Sequence, residues 1–429
     1  MEDSRPAQEA PAEAQQWPSA PLYDLTEIPK SIAELDAGDL EGQVRGNFWR
    51  SARWCMDGSA ILSTTEDRCI RIHTTNDNSS FDTKSFQQPD AIHSTLWYPS
   101  ASISTPETFC FVASIRDTPV RLIDGNDGRI RASYPIVDHR ERFIAPHSLA
   151  FNHTSTKLYC GYENAIEVFD ISSPGYDQGE RLKLVYAKKE KGGQKGIISA
   201  LSFCPDYSGT YAAGTYSSTN SVSLYSEDTG STPLAHVEGL VGGGITQIGW
   251  HPLNPTLMFI ASRRSLVIQI YDTRDLSSPL SCFERGGSSN QRIGFDVDPW
   301  GRWLSSGDED GTVRIWDLST LNPQPIFQQE LHQDAIGSVQ FHPFQPLLLT
   351  CSGSRKHLQQ TFESEDESSS SEEEDGSEAD TSKEESGSEG VVSSFVTGRW
   401  RPLDATMRVW SKEGSSVHNE GGDVAAQGV

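Results

Sequence analysis

The clearest pattern of apolar and polar positions lies in residues 308–317, which read DEDGTVRIWD. Val313 and Ile315 alternate with polar neighbours, and a period of two predicts a β-strand with one buried face. The Asp-Gly pair before them favours a tight hairpin turn. Because the apolar pair Trp303-Leu304 lies just upstream, the segment is predicted to be the second half of a β-hairpin.

The same pattern occurs seven times along the chain. Each copy begins at an aromatic or apolar anchor, in most cases followed two residues later by proline, and continues into two strand-like segments. The anchors are 43 to 54 residues apart, at Trp54, Trp97, Phe151, Phe203, Trp250, Val297 and Phe341. The Trp-Asp ending of one copy and a period near 40–45 residues are typical of WD-repeat blades. The repeats therefore predict an all-β fold, a seven-bladed WD-repeat β-propeller.

The last blade needs a strand from elsewhere, because the C-terminal repeat supplies only three. We expect the missing outer strand within residues 20–30. The hairpin of this blade is also interrupted, since its first strand ends near Ser354 and its partner begins at Ala405. The expected organisation is a disordered tail (1–19), the propeller (20–354), an acidic serine-rich disordered insert (355–400), the last strand of blade seven (401–411) and a second disordered tail (412–429).

The insert accounts for much of the charge. The chain has 35 Lys and Arg against 60 Asp and Glu, a net charge of −25. Residues 363–389 contain 13 carboxylates and one lysine, which gives −12 and leaves −13 for the rest of the chain. This composition neither excludes nor supports RNA binding. Four serines have a carboxylate three residues later and are candidates for phosphorylation by acidophilic kinases: Ser364, Ser369, Ser370 and Ser371. A solvated spacer is the alternative interpretation of the insert.

Motifs of catalysis, cofactor binding and membrane insertion are missing from the sequence. The seven cysteines are scattered without a C-x-x-C pair, and we expect reduced core thiols in a nuclear or cytosolic protein. No apolar run approaches the ~20 residues of a membrane span, and the polar N-terminal segment does not resemble a signal peptide. No phosphate-binding loop, HExxH motif or paired-histidine spacing occurs. We therefore expect no enzymatic activity, no cofactor, no metal and no membrane association.

Binding surfaces remain, and the propeller fold suggests where one lies. Residues just before each innermost strand converge on one face around the central channel. These positions are Arg50, His93, His147, Lys195, Gly244, Arg292 and Asp334. Cations here could contact phosphates and stack on the bases of single-stranded RNA. Lys188 and Lys189 lie on the loop that leads into the fourth blade, and Arg263-Arg264 lie in a hairpin turn. The alternative is that these are solvated loop charges.

Five strings are more specific than the WD signature. They are PHSLAF with KLYCGYENAIEVFD (from 146), AKK with QKGIISALSFCP (187–205), GGITQIGWHP (243–252), IYDTRD (270–275) and NQRIGFDVDP (290–299). Together they resemble the telomerase Cajal body protein family, across most of residues 45–319. The acidic insert, and the Ser or Tyr that replaces Asp at some strand ends, mark a divergent relative.

This resemblance implies a non-enzymatic nuclear RNA-binding scaffold. Such proteins recognise a loop motif in small Cajal-body RNAs of the H/ACA type and in telomerase RNA, and deliver the particles to Cajal bodies beside a dyskerin-containing core. The implied partners are small nuclear RNA and H/ACA-type ribonucleoprotein proteins, and the implied location is the nucleus (Cajal body), with the cytoplasm as a second location. The RNA-binding candidates are Arg50, His147, Lys188, Lys189, Lys195, Gln291 and Arg292. The alternative function is a peptide- or histone-binding scaffold, with the acidic insert contacting a basic partner.

Overall fold

The computed structural model describes residues 19–40, 46–76, 80–185, 193–217, 220–355 and 402–412. Within these ranges the chain forms 28 strands and no helix. The strands make seven four-stranded antiparallel sheets. The seven-bladed propeller predicted from the repeats is confirmed. No helix of the described part could cross a membrane.

The strands follow one another in chain order, and β1 is Lys30–Asp36. Blade one has β2 (Trp49–Trp54), β3 (Ile61–Thr65), β4 (Cys69–Asn76) and β5 (Ser80–Gln87). Blade two has β6 (Ile92–Trp97), β7 (Cys110–Ile115), β8 (Val120–Asp124) and β9 (Ile130–Tyr134). Blade three has β10 (Ser148–Phe151), β11 (Lys157–Tyr162), β12 (Ala165–Asp170) and β13 (Gly179–Lys183). Blade four has β14 (Ile197–Phe203), β15 (Thr210–Tyr216), β16 (Val222–Ser226) and β17 (Ala235–His236).

The remaining blades repeat this order. Blade five has β18 (Ile245–His251), β19 (Asn254–Ser262), β20 (Val267–Asp272) and β21 (Ser281–Glu284). Blade six has β22 (Phe295–Val297), β23 (Trp303–Ser306), β24 (Thr312–Asp317) and β25 (Phe327–Glu330). Blade seven has β26 (Ile336–Phe341), β27 (Leu347–Ser352) and β28 (Thr406–Ser411), and β1 completes it.

The first strand of each blade lies innermost, and from blade two to blade seven it packs on the first strand of the next blade in the ring. Serines at the start of these strands connect neighbouring blades. The Ser148 hydroxyl donates to the carbonyl of Ile198 (2.8 Å), and the Ser199 hydroxyl donates to the carbonyl of Ile245 (2.6 Å). Ser338 of blade seven likewise donates to a blade-one carbonyl at 3.1 Å. Between the blades the sheets bury apolar faces, so that the core is divided into seven clusters around the ring.

The closing strand comes from the N-terminal region, but later than predicted. Strand β1 pairs with β28 from Lys30 opposite Ser411 to Asp36 opposite Thr406. Within the predicted range, Tyr23 and Leu25 instead pack against the apolar cluster between blades six and seven. The Tyr23 ring packs against Phe341 with centroids 5.2 Å apart. The chain before β1 is therefore only partly buried, since Leu22 and Ile28 are exposed, and the closing strand lies after the predicted range.

Blade seven also contains a chain of hydrogen bonds from core to surface. The Trp410 indole N–H donates to the Thr350 hydroxyl (2.8 Å), which bonds His332 Nε2 (2.7 Å). His332 Nδ1 in turn bonds the Asp404 carboxylate at 3.2 Å. This chain connects β27, β28 and the loop before β26, and so holds together the blade that closes the ring.

Several predictions fall outside the described residues. These are the N-terminal tail up to residue 18, nearly all of the insert (356–401) with its four candidate phosphorylation sites, and the C-terminal tail from residue 413. All seven cysteines lie within the described residues as free thiols, and six of them are buried.

Candidate nucleic-acid interface

The seven innermost strands surround a channel of about 490 Å³. All of them begin at one end of the propeller, which we call the arginine face. The charged side chains along the channel wall are Arg50, Arg53 and Arg292, and the wall contains no carboxylate from the described residues. The channel of an otherwise acidic protein is therefore positively charged.

Arg50 lies at the mouth of the channel, where 42% of its side chain is exposed. It donates to the Ile92 carbonyl at 3.1 Å, which joins blade one to blade two. Its Nε atom is 3.7 Å from a Glu66 carboxylate oxygen, and Arg355 pairs with the same carboxylate. One carboxylate is thus shared by two guanidinium groups. Burial and the charge of nearby Arg355 lower the pKa of Arg50.

Arg292 extends from the start of blade six towards blade five. It donates to the Thr246 carbonyl at 2.7 Å. The Arg292 side chain is exposed to water in the channel, but the channel walls surround it with protein. This burial, together with the charges of Arg53, Arg263 and Arg50, lowers the pKa of Arg292 to about 10. Like charges are therefore close together here without a carboxylate to balance each one.

Arg53 was not predicted as a site residue. It lies on β2, where Ala52 and Trp54 are buried and the alternate positions face the channel. The described residues offer its guanidinium no hydrogen bond and no ion pair within 4 Å. The acidic group that acts on it is Asp296, whose pKa is raised to about 7 by burial despite a hydrogen bond from the Phe341 N–H. At neutral pH, Asp296 compensates the charge of Arg53 only in part.

His147, a predicted candidate, stacks on His93 at the same mouth. The ring centroids are 4.4 Å apart, and the planes are inclined by 12°. Burial, followed by the charges of His93 and Arg292, lowers the pKa of His147 to about 4. Burial also lowers the pKa of His93. At neutral pH the pair is therefore an uncharged aromatic surface between two arginines.

The structure brings together some of the other candidates and separates others. Lys195 is exposed on the loop before β14. Gln291 is half-buried, and its amide donates to the Gly353 carbonyl at 2.7 Å, so that it connects blades six and seven. Lys188 and Lys189 lie outside the described residues. The channel mouth therefore contains Arg50, His147 and Arg292 of the predicted set.

Two of the predicted pre-strand positions offer no side chain for binding a ligand. Asp334 is fully buried and accepts hydrogen bonds from the Ser354 hydroxyl (2.6 Å) and the Leu403 N–H (3.0 Å). It therefore holds the two chain segments that flank the insert. At Gly244 a side chain would meet the ring of Tyr216, because a Cβ atom would come within 1.9 Å of it. The Arg263 guanidinium lies over the same ring, 5.7 Å from its centroid.

The opposite face of the propeller has a different character. It contains the turns that join the first and second strands of each blade. Five of these turns expose a large apolar side chain: Met56, Ile103, Tyr207, Leu253 and Phe344. Exposed apolar side chains on one face favour that face as a surface for a protein partner.

A second cavity, of about 430 Å³, opens beside blade seven. Four of its titratable groups bond to one another, because Arg408 pairs with Glu34 (3.1 Å) and lies 3.7 Å from Asp404, which bonds His332. His332 and Asp404 belong to the hydrogen-bond chain of blade seven described above. In the described ranges no three His, Cys, Asp or Glu side chains are grouped to hold a metal ion.

Comparison with known proteins agrees with this architecture. The WD domain, G-beta repeat family matches residues 281–317. Telomerase Cajal body protein 1 of Homo sapiens is 31% identical over 360 residues, which cover 80% of this chain and 64% of that protein. The Bos taurus protein of the same name is 33% identical over 324 residues, with coverages of 72% and 58%. The chain thus spans about three fifths of the length of these relatives.

A further relative has a different name. Guanine nucleotide-binding protein negative regulator 1 of Schizosaccharomyces pombe is 31% identical over 347 residues, which cover 76% of this chain and 85% of that protein. The similarity therefore extends over nearly the whole of a shorter relative as well.

Proposed function

The chain belongs to the telomerase Cajal body protein family of WD-repeat proteins, and we propose that it is a non-enzymatic nuclear RNA-binding scaffold. Its RNA would be a small Cajal-body RNA of the H/ACA type, with telomerase RNA as a second client. The scaffold would direct the bound particle, with its H/ACA-type proteins, to Cajal bodies. A cytoplasmic pool is compatible with the same activity.

The observation that carries this proposal is the charge of the channel wall. Three arginines line it, no described carboxylate does, and two stacked histidines lie between Arg50 and Arg292. Single-stranded RNA is bound by just these groups, since cations contact its phosphates and planar side chains stack on its bases. The exposed apolar turns of the opposite face leave a separate surface for a protein partner.

The test is RNA binding by the purified full chain, measured by fluorescence anisotropy with an H/ACA loop RNA at several salt concentrations. Arg292→Glu with Lys195→Glu should weaken binding at least about tenfold, and the loss of two phosphate contacts should lower the salt slope by about 1.4. The control is Arg129→Glu with Arg274→Glu, which makes the same charge change at exposed turns of the opposite face. Equal affinity of the two double variants would refute RNA binding at the arginine face.

A peptide-binding scaffold is the second candidate, favoured by the apolar turns and by a relative named for regulation of a guanine nucleotide-binding protein. Pull-down from nuclear extract with and without RNase separates the two. Partners of an RNA scaffold should be lost after RNase treatment. Partners held by direct protein contact should remain, and their complete retention would favour the second candidate.

A further inference from the structure

The channel has the size and the chemistry of a pocket for one nucleotide. Its volume of about 490 Å³ lies within the ~300–1,000 Å³ of small-ligand sites. We propose that one unpaired nucleotide of the bound RNA inserts into the channel, with its phosphate at Arg53 and Arg292 and its base on the His93–His147 pair. This inference rests on the proposed function and goes beyond it, because it assigns a specific pocket within the arginine face.

The phosphate half of the pocket follows from the partners of the two arginines. Arg292 uses one nitrogen on the Thr246 carbonyl, and Arg53 has no hydrogen bond or ion pair to a described residue. Both line the channel, where no described carboxylate lies in the wall. One guanidinium group can bind two phosphate oxygens at once. A bound phosphate would also offset the repulsion between these arginines.

The base half follows from the histidine pair. His93 lines the channel and presents one ring to it, and His147 supports that ring from behind in a nearly parallel stack. Because both rings are uncharged at neutral pH, they resemble the aromatic platforms on which RNA-binding proteins stack bases. The hydroxyls of Ser94 and Thr95 lie on the adjoining wall, where they can bond the edge of a base.

Arg50 connects the two halves. It donates to the carbonyl of Ile92, the residue before His93, and its guanidinium is close enough to Arg292 to lower the pKa of that group. The phosphate-binding and base-binding side chains therefore surround a single opening. Exposed Lys195 lies outside this pocket, in the loop before β14, where it can contact the RNA backbone without regard to sequence.

The first experiment measures binding of the four nucleoside 5′-monophosphates to the full chain by isothermal titration calorimetry. At least one should bind with a Kd below about 1 mM, an affinity expected of a small ligand. Arg53→Gln and His93→Ala should each weaken it at least about fivefold, while Arg274→Gln, which changes an exposed turn of the opposite face, should not. Asp296→Asn should strengthen it, because a nearby carboxylate is removed. Binding of inorganic phosphate with equal affinity would overturn the base half.

The second experiment keeps failure of the pocket distinct from failure of the proposed function. Single abasic substitutions along the loop RNA should reveal one position that costs about tenfold with the wild-type protein and little with His93→Ala. Tight RNA binding without such a position, and without mononucleotide binding, would overturn the pocket and leave the RNA scaffold intact. Mononucleotide binding without RNA binding would overturn the proposed function and, with it, the insertion of an RNA nucleotide.

Discussion

Asp404 offers the sharpest test of how the ring is held closed. Its carboxylate lies at the start of the last strand and accepts hydrogen bonds through both oxygens. One oxygen accepts from the hydroxyls of Thr406 (2.6 Å) and Ser352 (3.0 Å), and the other accepts from the Gln333 N–H (3.1 Å) and His332 (3.2 Å). The side chain is 6% exposed. Asp404→Ala would remove all of these bonds and leave several buried donors without an acceptor.

The expected cost follows from these contacts. A hydrogen bond to a charged group contributes about 1.5–3 kcal/mol, and breaking a buried charged network typically costs about 3–5 kcal/mol. We therefore expect Asp404→Ala to lower the free energy of unfolding by about 4 kcal/mol, a large share of the ~5–15 kcal/mol typical of folded domains. The assay is equilibrium urea unfolding followed by tryptophan fluorescence. The matched control is Asp272→Ala, whose carboxylate pairs with a 75% exposed Arg274 and should cost less than about 1 kcal/mol.

The same variant has a pH signature. Burial would raise the pKa of Asp404, but hydrogen bonds from His332 and Thr406 outweigh it and hold the pKa well below the ordinary value of 3.8. The stabilisation is therefore complete above about pH 5 and is lost as the pH falls below 4 towards the pKa of the folded state. The difference between wild type and Asp404→Ala should shrink over that acidic range. A difference below 1 kcal/mol at pH 7 would refute the role of Asp404 in ring closure.

Three further predictions concern stability, each measured by urea unfolding. Burial lowers the pKa of His73 to about 3, so stability should fall by about 2 kcal/mol from pH 6.5 to 4.5, and His73→Gln should abolish most of that slope. Gly311→Ala would place a Cβ atom 1.9 Å from the His332 carbonyl at a φ of +82°, and should cost over about 2 kcal/mol, whereas Gly230→Ala, at a φ of +58°, meets only the Leu182 side chain at 3.7 Å and should cost less. Burial raises the pKa of Asp296 to about 7, so wild-type stability should fall as the pH rises from 4 to 7, and Asp296→Asn should be about 3 kcal/mol more stable at pH 8. Each pH argument would be contradicted if wild type and variant were equally stable at the two pH values compared. The glycine argument would be contradicted if the two glycine variants were equally stable.

The propeller could be predicted from the sequence because each blade repeats the same local pattern. An anchor, a turn and two alternating strands recur seven times, and the second and third strand of every blade lie where that pattern put them. The closing strand was harder to locate, because Lys30–Asp36 has little alternation and pairs with residues some 370 positions away. Its outer position is decided by the pairing with β28 and not by its own sequence.

The candidate site was predictable only where position alone decides it. Arg50, His147 and Arg292 lie at the channel mouth because they precede innermost strands. Arg53 lies within such a strand, and a register shift between Trp49 and Ser51 separates it from the pre-strand position of Arg50. An alternation count from Trp54 backwards could have placed Arg53 on the channel side.

Other candidates were decided by distant partners. Gln291 bonds the carbonyl of Gly353, 62 positions away, and Asp334 bonds the N–H of Leu403, 69 positions away. In the sequence these two side chains appear free to bind a ligand, because no residue near them in the chain satisfies their hydrogen bonds. Only the closed ring brings their partners within reach.

The arrangement of blade seven has a consequence for chain cleavage. Strand β28 lies between β1 and β27 and pairs with both, although residues 356–401 separate it from β27 in the chain. A protease cut anywhere between residues 356 and 401 would sever the backbone and yet leave every described strand uncut. The short C-terminal fragment should stay bound through the pairing of β28 with β1 and β27. Two co-expressed pieces divided at this point could therefore assemble into one closed propeller.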